Sequence, residues 1–215
     1  MILSDVIKSI PLYKYSGSLS DIAEELGLNI SPDNIMYLGD NPNVGFHFSL
    51  SNSILIKLYS DGSDFSGTGY SSISTNSELA TLYYVKGKDT ICFGVSNTGK
   101  PVLNFICGKC RNLIDGTEKY GYVSCVGSTS GLYGGGCVIS DGYTQKDWFT
   151  YLTHQIDMFV SMYPMCTKQG DLFENMNVAT IFCQSNEYKL FTLGNKNYLS
   201  LTGPSEGYNR LITEF

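Results

Sequence analysis

The sequence predicts an α+β fold that is predominantly antiparallel β: a meander or sandwich-like sheet, one long amphipathic helix packed on it, and a C-terminal β hairpin. Three observations carry that expectation. Composition is the first: 16 Tyr, 11 Phe and 23 Gly, with only 16% charged residues, favour strands joined by tight turns. Spacing is the second, because short apolar runs such as LATLYYV, TICFGVS and VLNFIC follow one another closely with turn residues between them. The third is a single stretch with a helical period, residues 144–163. There Trp148, Leu152, Ile156, Phe159 and Tyr163 form an apolar stripe widened by Phe149 and Val160. Thr144 suits the cap, Asp147 the first turn, and Pro164 the stop. At roughly 1.5–3 kcal/mol per buried large side chain, that stripe must lie against a sheet.

A chain of 215 residues is long enough to bury a core as a single domain, 1–215, with a β-rich part over 1–143 and a helix plus C-terminal β-meander over 144–215. Near the N-terminus, SGSLSDIAEELGLNIS predicts a short helix capped by Ser18 or Ser20, with Leu19, Ile22, Ala23 and Leu26 on one face and Gly27 as its stop. GFHFSL and ILIKLY then read as a hairpin around Ser51-Asn52-Ser53. Residues 60–77, rich in Ser and Gly and poor in apolar anchors, read as a long exposed loop. The meander follows, with turns at Lys86-Gly87-Lys88-Asp89 and Asn97-Thr98-Gly99-Lys100-Pro101. YGYVSCVG, a Gly-rich turn SGLYGGG and CVISDG extend it to the helix. MCTKQGDLFENM reads as a loop, and VATIFCQ, YKLFTLG, KNYLSLT and NRLITEF as strands, with a turn at Gly194-Asn195.

Charge and motifs exclude more than they assign. A net charge of −6 without a Lys/Arg cluster speaks against nucleic-acid binding by specific readout. No apolar run approaches the ~18 residues of a membrane span, and the N-terminus has no secretory pattern, so synthesis and folding in a reducing cytoplasm are expected. The seven cysteines then read as free, mostly buried thiols. SLSDIAEELGLNIS resembles the first helix of a helix-turn-helix, but Pro32, Gly39 and Pro42 oppose the second helix such a reader needs. Cys107 and Cys110 form a C-x-x-C without a second ligand pair, so no metal and no cofactor is expected. GSTSGLYGGG lacks the Lys-Ser/Thr ending and following helix of a phosphate loop. Only His47 and His154 could serve a nucleophile; Asp61, Asp64, Glu24 and Glu25 form no distinguished carboxylate pair. No catalytic residue is assigned, and the chain is read as non-enzymatic.

Residues 171–215 carry a loop with Asp171 and Phe173 before a strand, then a hairpin from Tyr188–Leu193 through Gly194-Asn195-Lys196 into Asn197–Ser200, and a short strand Arg210–Phe215. This segment resembles the closing part of structural proteins from tailed bacteriophages and prophages of Gram-positive hosts. The resemblance implies a virion subunit of tail, neck, baseplate or head, made and assembled in the bacterial cytoplasm, whose partners are copies of itself and other virion proteins; from the lack of a long apolar run, no membrane partner is expected. Two stretches are expected to make assembly contacts: the 60–77 loop, and the strand Arg210–Phe215 by adding to a neighbour's sheet. The alternative is a carbohydrate- or small-ligand-binding β module, for which Tyr70, Tyr133 and Tyr143 in or near turns suit stacking.

Overall fold

The computed structural model describes residues 2–13, 18–50, 53–60, 62–64, 71–74, 79–97, 99, 101, 103–128, 131–139, 142–144, 159–161, 165–166, 172–173, 178–182, 190–200 and 209–215. In chain order these form α1 (Leu3–Val6), β1 (Lys8–Tyr13), α2 (Leu19–Leu26), β2 (Asn29–Ile30), β3 (Ile35–Tyr37), β4 (Val44–Leu50), β5 (Ser53–Ser60), β6 (Ser63–Asp64) and β7 (Ser71–Ser74). Next come β8 (Leu79–Lys86), β9 (Thr90–Ser96), β10 (Phe105–Arg111), β11 (Glu118–Ser128), β12 (Gly131–Ile139) and β13 (Gly142–Thr144). The last are β14 (Phe159–Ser161), β15 (Met165–Cys166), β16 (Leu172–Phe173), β17 (Val178–Phe182), β18 (Leu190–Leu193), β19 (Lys196–Ser200) and β20 (Asn209–Glu214). The chain is mostly antiparallel β, as its composition predicts.

The expected meander is the central sheet, with strand order β1-β8-β9-β10-β11-β12-β13. A second sheet, β2-β3-β4-β5-β6 with β7 also on β5, packs against one of its faces. Phe46 and Phe48 of β4 and Ile54, Ile56 and Leu58 of β5 meet Leu82, Phe93, Phe105 and Tyr122 of the central sheet in one core. Phe46 is the hub: its ring stands edge-on to Phe93, Phe105 and Tyr122 at centroid distances of 5.0, 5.5 and 5.5 Å. Such edge-to-face contacts add about 0.5–1.5 kcal/mol each to the burial itself. Tyr122 keeps its hydroxyl satisfied at this depth, taking the Leu38 N–H at 2.8 Å and donating to the Leu38 carbonyl at 3.2 Å.

The central strands are buried on both faces. Val85, Cys92, Ile106 and Val123 are neighbours across β8, β9, β10 and β11, lie on the face away from Phe93 and Phe105, and are 0% exposed. That is why TICFGV and FIC read as continuous apolar runs rather than as alternating ones. A third sheet, β14-β17-β20-β19-β18, joins the central one where β20 meets β12 and where the Lys88 N–H donates to the Glu214 carbonyl at 3.0 Å. Among the described residues no helix is long and apolar enough to cross a membrane.

Helix α2 is as the sequence predicts. The Ser18 hydroxyl takes the Asp21 N–H, Ile22, Ala23 and Leu26 are buried, and Gly27 ends the helix at φ 78°. Strands β2 and β3, not a second helix, follow it, so no helix-turn-helix forms.

Four expectations need correction. The helix expected over 144–163 does not reach its predicted ends: Thr144 closes β13, and Phe159–Ser161 is strand β14, paired to Ile181, Thr180 and Ala179. Phe159 and Val160 suit a strand as well as a helical stripe, and a β-branched partner is at hand. Residues 145–158 and 162–164 lie outside the described residues. The two described helices have 4 and 8 residues.

The stretch 60–77 is not simply an exposed loop. Both β6 and β7 pair with β5, through Ser60↔Ser63 and Tyr59↔Asp64 at one end and Ser53↔Ser74 to Ile56↔Ser71 at the other. The glycines of SGLYGGG lie in strand β12 rather than in a turn. Its register on β11 steps from Ser124↔Gly136 to Cys125↔Gly134, leaving Gly135 as the extra residue of a β-bulge, a place where glycine is favoured. Finally, part of MCTKQGDLFENM, expected as a loop, pairs as β15 with β16.

Candidate functional site

Three places on the described surface concentrate chemistry. The first is a clamp on the outer side of β4 and β5. Because β4 alternates, Phe46 and Phe48 enter the core and His47 points the other way, as its position predicts. His47 Nδ1 lies 2.7 Å from Asp64 Oδ1, and Lys57 Nζ donates to Asp64 Oδ2 at 3.0 Å. A carboxylate only accepts, so the His47 Nδ1 carries the proton. Burial pushes the Asp64 carboxyl up, but the hydrogen bonds and charges of His47 and Lys57 outweigh it and hold the group below its ordinary value. One carboxylate thus ties β6 to both β4 and β5.

Asp64 contributes stability that is present above its unfolded value and lost as pH falls through the lowered folded value. Asp64→Asn is expected to cost about 1 kcal/mol at pH 7, as for partly exposed charged pairs. Urea unfolding of both proteins across pH 7 to pH 2.5 checks this; the difference between them must shrink on the acid side.

The second place is the β10–β11 turn. Asn112 and Thr117 close it, with the Asn112 N–H on the Thr117 carbonyl at 2.8 Å and the Gly116 N–H on the Asn112 carbonyl at 2.9 Å. The side chains stiffen it: Asn112 Oδ1 takes the Ile114 N–H at 2.9 Å, and Asp115 Oδ1 takes both the N–H and the hydroxyl of Thr117 at 2.9 and 2.7 Å. This scaffold holds Leu113 and Ile114 in solvent, 48% and 66% exposed.

The third place is a cleft of about 340 Å³ where the end of α2, the β8–β9 turn and strands β10 and β11 converge. Lys86, Lys88 and Lys109 line it against a single acid, Asp89. Strand β10 comes unusually close to the turn here: a Cβ on Gly108 would overlap the Asp89 carbonyl oxygen, which also accepts the Lys109 N–H at 3.2 Å.

Of the described residues singled out in the sequence, His47 and Asp64 alone are brought together at these places. Cys107 and Cys110 lie three apart on the regular strand β10 and therefore on opposite faces, so this pair cannot hold one ion. Burial pushes the Cys92 thiol up to about 12 and the Cys107 thiol well above its usual value, with Cys92 nearby adding to the latter, so both stay protonated. Among the described cysteines, Cys92, Cys107 and Cys110 are buried thiols outside any disulfide, as expected. Glu25 accepts the hydroxyl of Tyr84 and pins α2 to β8, and burial followed by that carboxylate pushes the tyrosine up to about 12. Glu24 stands exposed on α2, Tyr143 is in β13, and Tyr133 is in β12 rather than in a turn. Asp61, Tyr70 and His154 lie outside the described residues.

Sequence reading missed the cleft lysines and the apolar tip. The tip had a local signal, since Asn112 and Asp115-Gly116 are turn formers flanking two large apolar residues. No family model matches the chain, and neither a curated protein nor a solved structure matches it.

Proposed function

We propose that this chain is a non-enzymatic structural protein of a bacteriophage particle, a tail, neck, baseplate or head-attached subunit that works through contacts with copies of itself and other virion proteins. The resemblance of residues 171–215 motivates the reading, and the hairpin it rests on is present as β18 and β19. The observation that carries it is the stiff turn holding Leu113 and Ile114 in water. Two adjacent large apolar side chains on a turn fixed by five hydrogen bonds lose little freedom when a partner covers them, which suits an assembly contact.

The contact surfaces expected from the sequence change accordingly. Strand β20 lies between β17 and β19, with Ile212 and Thr213 paired on both sides, so the middle of Arg210–Phe215 offers no open edge to a neighbour. The 60–77 stretch is partly spent on pairing with β5. The turn at Leu113-Ile114 takes their place in this reading.

Light scattering of the purified chain over a concentration series tests it. The wild type is expected to grow into a defined oligomer, and the double variant Leu113→Ser, Ile114→Ser to remain monomeric with an unchanged unfolding midpoint. A wild type that stays monomeric throughout, or a double variant that assembles equally well, overturns it.

A further inference from the structure

Beyond any assembly role, we propose that the cleft at the β8–β9 turn binds a small anion that carries a flat apolar part, an aromatic phosphate or carboxylate. Its charge selects the sign of the ligand: three of the 14 Lys and Arg residues of an acidic chain face one Asp here. The lysines are not all equally committed. Lys86 Nζ would lie 3.7 Å from a Cβ on Gly27, which puts the ammonium beside the C-terminal end of α2, where it balances the negative end of the helix dipole. Lys109 meets Glu118 at 3.3 Å, but both side chains are more than half exposed, and such a pair is worth only about 0–1 kcal/mol, so an incoming anion can displace the carboxylate. Lys88, exposed on the turn itself, makes no side-chain hydrogen bond or ion pair with another described residue.

Three backbone N–H groups at the cleft are already used. The Gly87 N–H donates to the Thr90 carbonyl, the Lys88 N–H to the Glu214 carbonyl and the Lys109 N–H to the Asp89 carbonyl. The ammonium groups are the charged donors here; they act as point charges and take a carboxylate or a phosphate alike. The cleft also has apolar lining. Tyr120 lies so close to Gly39 that a Cβ there would overlap its ring, and Leu38 and Ile91 line the cleft with it. An aromatic ring beside cations suits a ligand with a ring next to its charge. The cleft's volume, about 340 Å³, falls at the small end of the roughly 300–1,000 Å³ range of small-molecule pockets.

The test is an amide-shift titration of the full isotope-labelled chain with phenyl phosphate, benzoate, adenosine monophosphate and inorganic phosphate in turn. The aromatic acids are expected to shift the amides of Gly87, Lys88, Gly108 and Lys109 saturably, with Kd near or below about 1 mM, and inorganic phosphate to bind at least about tenfold more weakly. Adenosine monophosphate binding tighter than phenyl phosphate assigns a nucleotide; the reverse order assigns a smaller aryl acid. The double variant Lys86→Gln, Lys88→Gln should lose about tenfold in affinity while its spectrum stays that of a folded chain. Shifts that are absent, that cluster elsewhere, or that survive the double substitution unchanged overturn the proposal. None of these readouts depends on Leu113 or Ile114, so it stands or falls apart from the assembly reading.

Discussion

Replacing Phe46 by alanine is expected to destabilise the protein by about 3–5 kcal/mol, a large part of the ~5–15 kcal/mol that holds a typical domain folded. The ring is fully buried and makes edge contacts with Phe93, Phe105 and Tyr122, which come from three different strands of the facing sheet. Its removal leaves a cavity walled by β-strands whose backbones are locked in a ladder and cannot collapse inward. Loss of the ring also leaves Tyr122 less firmly held, although its hydroxyl still has Leu38 as partner. Urea unfolding monitored by the single tryptophan and by far-ultraviolet dichroism would show the midpoint falling with little change in slope. A loss under about 1 kcal/mol would mean that the two sheets close over the gap, against the packing described above.

Gly108→Ala is expected to cost about 1–3 kcal/mol or more, for a different reason. Gly108 has no positive φ; it is a matter of space, because the added methyl would meet the Asp89 carbonyl oxygen and the Thr90 backbone. Either strand β10 withdraws from the turn, breaking the Lys109 to Asp89 hydrogen bond, or the turn itself deforms. Gly116→Ala supplies the contrast. That site is open, so only its φ of 77° penalises a side chain, at about 1–2 kcal/mol. Hydrogen exchange separates the two: the first substitution should speed exchange at Lys109 and at Gly87 in the β8–β9 turn, and the second should affect only the tip, residues 112–117. Equal, purely local effects from both would contradict the close approach.

Local grammar made much of the fold legible. Ser18, the spacing of Leu19, Ile22, Ala23 and Leu26, and Gly27 suffice for α2, and Gly194-Asn195 marks the turn between β18 and β19. Elsewhere a local signal was present but misread. Asp61-Gly62 is a two-residue hairpin signal between Ser60 and Ser63, and Gly62 takes a φ of 85°, yet the Ser/Gly-rich surroundings suggested a loop. Strand β1 was obscured by Pro11, which is acceptable there because β1 is the edge of its sheet. At Phe159 and Val160 the sequence supports two periods, and pairing with Thr180 and Ile181 decides between them. The sites were least legible. Lys86, Lys88, Lys109, Gly27 and Tyr120 become neighbours only through the stacking of α2 and the meander, so no spacing in the chain announces them.

The interior position of β20 bears on how the chain is made. A ribosome releases β1 to β11 first, and those residues already contain the Phe46 core and both sheets around it. The third sheet is different, since β17 and β19 are joined to each other only through β20. Until residues 209–214 emerge, that sheet exists as two fragments, each with a bare strand edge beside an already folded body. The interval in which this protein is most open to pairing with a second nascent chain is therefore set by the arrival of β20, and its synthesis closes that interval.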